Sequence, residues 1–179
     1  MKLFKKLAAA ALVAVLALTM VGCGSSASLK DEMLKVAMDR MTVFGGTANH
    51  SKELDALAAK LVQEADKAAA LEANKDEDVK SILTADEVVK KAGINATAKG
   101  YILNAAPNVQ FKSSGTYMEF VKAEWMMEAI NPSTSDGSSN QAVKIGTIEQ
   151  LGDNVDVGVA MGKIGGKEYV VILYTNHAA

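Results

Sequence analysis

Apolar and polar positions change period along this chain, and each period predicts an element. Leu7 to Met20 form a nearly unbroken apolar run behind Lys2, Lys5 and Lys6, interrupted only by Thr19. Met33, Leu34, Ala37, Met41 and Phe44 then recur at helical spacing. They predict a first helix opening near Ser28, as its cap, and stopping at Gly45-Gly46. Leu54, Leu57, Ala58, Leu61, Val62, Ala65, Ala68 and Ala69 form the longest stripe, with Lys52, Glu53, Lys60, Glu64 and Lys67 on the opposite face. This second helix starts near Asn49 or Ser51, and its alanines predict close packing against another element.

Residues 74–80 read as a charge-dense connection. Thr84 with Glu87, and Thr116 with Glu119, have the spacing of capping boxes. The first predicts a helix ending at Gly93, the second a helix carrying Met118, Phe120, Val121, Trp125, Met127 and Ile130. Tyr101 to Leu103 are a short strand, and residues 131–140 a polar loop. Near the end the period drops to two. Val155, Val157, Val159 and Met161 alternate with Asp156, Gly158 and Ala160; Gly165-Gly166 turn the chain; Tyr169 to Thr175 return as a central strand. Helices precede strands, so the fold class is α+β: an α-β-α sandwich with a small antiparallel sheet flanked by helices.

The opening run is roughly 14 residues, short of the roughly 20 that span a bilayer as a helix. Its charged, apolar, small-residue order is that of an export signal over residues 1–22. Met20-Val21-Gly22-Cys23 resembles a lipobox, where diacylglycerol is joined to the cysteine thiol before cleavage, although Met20 stands where leucine is usual. Cys23 is the sole cysteine of the chain. The resemblance implies a bacterial lipoprotein held by acyl chains at the extracytoplasmic face of the cell membrane. Residues 23–28 become a lipidated tether and 29–176 the folded domain. Stable anchoring takes more than one acyl chain, which an acylated N-terminal cysteine supplies.

Cleavage removes 22 of the 179 residues, leaving 157, a length that fits one domain. It also removes three lysines and no acid, so the net charge moves from −2 to −5. A mildly acidic domain is a poor nucleic-acid partner. Arg40 is the only arginine, which argues against recognition of phosphate by an arginine fork. With Cys23 acylated no thiol remains, so the core carries the fold unaided.

Three stretches together resemble the CAP superfamily, the SCP-like domain of bacteria. The first is Leu54-x-x-Leu57-Ala58-x-x-Leu61-x-x-x-Ala65, with Arg40 ahead of it. The second is Val121-x-x-x-Trp125-Met126. The third is Val155-Asp156-Val157-Gly158-Val159-Ala160 followed by Gly165-Gly166-Lys167-Glu168-Tyr169-Val170-Val171. The resemblance runs over about residues 30 to 175 and implies the α-β-α sandwich and a cleft. It also implies two histidines and two acids for a divalent metal, which this chain lacks: residues 127–132 hold no histidine, Pro107 stands at an acid position, and His50 and His177 match neither ligand. The implied domain is a degenerate, non-catalytic one without cofactor or metal, its groove placed at Trp125, Met126, Asn108 and Asn131.

Other chemistry finds little support. Ser113, Ser114, Ser133, Ser135, Ser138 and Ser139 sit in loops without a nucleophile elbow. Asp76, Glu77 and Asp78 read as a solvated charge run rather than a catalytic pair. Gly158, Gly162, Gly165 and Gly166 are strand and turn glycines, since no helix with Lys-Ser or Lys-Thr follows. The expected function is a tethered binding or structural domain with an unidentified cell-wall, lipid or protein ligand. The alternatives are a cell-envelope hydrolase and a surface adhesin.

Overall fold

A computed structural model describes residues 26–43, 45–74, 76–108, 142–148 and 150–177. Helix α1 spans Ser26–Val43, strand β1 Thr47–His50 and helix α2 Lys52–Ala69. A single 3₁₀ turn, Glu72–Asn74, leads to two short helices, α3 (Val79–Thr84) and α4 (Asp86–Lys91). Strands β2 (Tyr101–Pro107), β3 (Val143–Ile145), β4 (Asn154–Ile164) and β5 (Lys167–Asn176) follow. The described strands form one sheet in the order β1-β4-β5-β2-β3.

Helices cover both faces of this sheet, so the class is α+β. The sheet is mixed, whereas the sequence predicts an antiparallel one. β1 lies parallel to β4, from Thr47 beside Asn154 to His50 beside Val157, and the other pairings are antiparallel. Thr47-Ala48-Asn49-His50 has no apolar alternation, which is why the strand is invisible in the sequence. Its place comes from the open edge of β4. The Thr47 amide donates to the Asp153 carbonyl and the Ser51 amide to that of Val157. Tertiary context overrides local preference here.

On one face, α2, α3 and α4 pack over Leu103, Ala105, Ala160, Ile164, Val171 and Leu173. Ser51 caps α2 by accepting from the Leu54 amide. The helix lies close because Gly158 and Gly162 leave room for it. A Cβ at Gly158 would sit 2.4 Å from the Leu54 carbonyl carbon, and one at Gly162 2.6 Å from a Val62 methyl. The glycines of β4 therefore admit α2 at Leu54 and Val62, the close approach that the sequence predicts. On the other face, Leu29, Met33, Val36 and Ala37 of α1 pack over Val155, Val157, Val159, Val170 and Ile172.

The closing hairpin matches its prediction. Ile164 pairs with Lys167 across Gly165-Gly166, both at positive φ, and β5 is central and buried from Val170 to Thr175. Three boundaries differ. α1 opens at Ser26, two residues ahead of the predicted start at Ser28. Thr84 ends α3, bonding back to the Lys80 carbonyl, while α4 starts from Ala85 without a side-chain cap. β2 continues past Leu103 to Pro107, because six of its residues pair with β5. The predicted helix at Thr116, the loop of residues 131–140 and the signal of residues 1–22 lie outside the described residues.

Candidate functional site

Asp55, in the first turn of α2, joins several elements through its carboxylate. β1 ends at His50, leaving the Val159 amide of β4 without a strand partner on that edge. Asp55 replaces the strand: its Oδ1 accepts from the Val159 amide at 2.8 Å. Its Oδ2 accepts from Lys30 Nζ of α1 at 2.8 Å and lies 3.0 Å from His50 Nε2. One carboxylate thus joins both helix layers to the sheet edge. Burial pushes its pKa up, but the bonds from Lys30, Val159 and His50 and the charge of Lys30 outweigh this, so it falls below 3.8. The neighbouring hydroxyl, Ser51, accepts from the Leu54 amide as the helix cap. The arrangement couples an imidazole and an ammonium to one acid, and its visible work is structural.

A second polar group lies beyond the start of α2. His177 Nδ1 is 2.7 Å from Asp156 Oδ1, and Asn49 Nδ2 donates to Asn154 Oδ1 at 2.9 Å. Both pairs are exposed.

A third group is buried under the α1 face. Tyr174 and Asn104 are hydrogen-bonded neighbours on β5 and β2. Burial pushes the Tyr174 hydroxyl up to about 12, against smaller downward pulls from Asn104 and the positive charge of Arg40. Asn104 is 7% exposed and its Oδ1 has no hydrogen-bond partner among the described residues. An unpaired buried amide oxygen costs about 1–3 kcal/mol.

Of the expected site residues, Asn108 alone is described. It sits just past β2, where its amide donates to the Glu168 carbonyl at 2.7 Å and its Nδ2 to Glu168 Oε2 at 2.9 Å. It closes the end of β2 against β5. Cys23, Trp125, Met126 and Asn131 lie outside the described residues. His50 is the last residue of β1, not the start of the second helix, and His177 follows β5. Among the described residues no three His, Cys, Asp or Glu side chains gather as a metal-holding group, and no helix is long and apolar enough to cross a membrane.

Sequence reasoning missed Asp55, Asp156 and Asn104. Asn104 had a signal: it is polar at an inward position between Ile102 and Ala106. Asp55 had none, since two of its three partners are 25 and 104 residues away. No family model, curated protein or solved structure matches this chain.

Proposed function

We propose that this chain is a lipoprotein anchored at the extracytoplasmic face of a bacterial membrane, with a degenerate CAP-like domain that binds or scaffolds without catalysis. The observation that carries the reading is the order of the first residues: lysines, an apolar run, then Met20-Val21-Gly22-Cys23 and a polar turn. The non-catalytic part is supported by the lack of a histidine in residues 127–132 and by Pro107, which has no acid group, at the position where the family carries an acid.

Cells fed an alkyne-bearing palmitate test the anchor. The wild-type chain should take up the label and Cys23→Ser should not. A wild-type chain that takes up none, or a variant labelled equally, overturns the reading. For the domain, protein lacking residues 1–23 should show an unchanged melting temperature in excess zinc or calcium. A rise at stoichiometric metal would refute the metal-free, non-catalytic assignment.

A further inference from the structure

We infer that the domain rests with one particular end against the lipid head groups: the end bearing the β4–β5 turn, Gly165-Gly166, and the exposed Leu71. The inference rests on the acylation of Cys23 proposed above.

The direction of α1 carries it. Its C-terminal end lies at the start of β4, where the Gly46 amide donates to the Met41 carbonyl and the Thr47 amide to that of Asp153. Lys30, near its other end, meets Asp55 beside Val159. The helix therefore runs antiparallel to β4, and its first residues point toward the turn. From Lys30 back to Ser26 is four residues, about 6 Å of helix. From Val159 to Ile164 is five residues, about 17 Å of strand. Cys23 is three residue steps from Ser26, at most about 11 Å. Fully extended, those steps bring an acylated sulfur level with the β4–β5 turn, while the far end beside Asp153 stays out of reach.

The end so placed suits a head-group layer. Gly165 and Gly166 present backbone with no side chain, flanked by exposed Lys163 and Lys167. The Gly165 amide donates to Asp66 Oδ1, which fixes the turn to the last turns of α2. Leu71, just past α2, is 58% exposed, one of two large apolar side chains so exposed among the described residues. The other, Val43, lies at the opposite end of α1. Acids share the turn end, including Asp78 near Tyr169. The contact is therefore set by the short tether and not by net charge.

The test uses the full acylated chain in vesicles of phosphatidylethanolamine and phosphatidylglycerol. Acylation consumes the native thiol, so one introduced cysteine takes a fluorophore cleanly. Lys167→Cys and Leu71→Cys mark the turn end; Val43→Cys and Asp153→Cys mark the other. All four positions are exposed, so folding is preserved. A head-group quencher should quench the first pair several-fold more than the second, in low and in high salt. Vesicle-bound protein with equal quenching at both ends, or with the order reversed, overturns the orientation alone. Protein that fails to cosediment with vesicles overturns the anchor and the orientation together.

Discussion

The two faces of the sheet are sealed in different ways. The three-helix face uses small residues at the contact: Ala58 and Ala65 of α2 are fully buried, Gly158 admits the helix backbone, and Gly162 admits the Val62 side chain. The α1 face uses larger side chains, Met33, Leu29 and Val36, over a row of valines and an isoleucine. It also holds the polar Asn104–Tyr174 pair. One face is specified by the absence of atoms, the other by their bulk. A steric change should therefore be least tolerated on the first face, and a chemical change should read out on the second.

Gly158→Val gives the largest expected effect. Its Cβ would lie 2.4 Å from α2 backbone, and we expect a loss of about 3 kcal/mol or more in urea unfolding, or no folded protein. Ala37→Val adds two methyl groups on the α1 face, where Met33 can move, and should cost about 1–2 kcal/mol. Equal costs would break the comparison. Truncations rank above Ala37→Val: Leu61→Ala and Met33→Ala should each cost about 2–5 kcal/mol, with Met33→Ala nearer the lower end because flexible Met38 and Met41 line that face.

Asp55→Asn removes the carboxylate that ties the two helix layers together and should cost about 1–2 kcal/mol near neutral pH. Its folded pKa lies below the ordinary 3.8. The contribution is fully present above 3.8 and is lost as pH falls through the lower folded value. Acid titrations of stability should therefore converge for wild type and variant. A gap that persists at the acid limit would show that charge is not the cause.

The smallest effect sharpens the α1 face. Tyr174 keeps its proton up to about 12 in the fold, while an unfolded tyrosine loses it near 10. Its raised value stabilises the fold below pH 10, and that contribution drains away as pH rises from 10 toward 12. Tyr174→Phe should cost about 1 kcal/mol at neutral pH and flatten the alkaline decline. An unchanged alkaline slope would mean that the hydroxyl is not buried.

Legibility followed the range of the forces involved. The α2 stripe, the Gly165-Gly166 turn and the covered β5 strand were readable because each is a local pattern with a local cause. β1 was not, since four residues without alternation become a strand only when β4 offers an edge. The capping box at Thr84 misled because its hydroxyl bonds back into α3, a choice made by the preceding helix. The Asp55 cluster joins residues 25 and 104 positions apart, and no spacing rule reaches that far.

By itself, then, the sequence determined the periodic elements, the α+β class and the lipobox-like order Met20-Val21-Gly22-Cys23, because these depend on near neighbours. Only the tertiary structure decided that the sheet is mixed, that Asp55 stands in for a missing strand, and that α1 points its first residues toward the β4–β5 turn. Those outcomes depend on which backbone groups remain unpaired once the layers have met, a quantity that does not exist before the chain is folded.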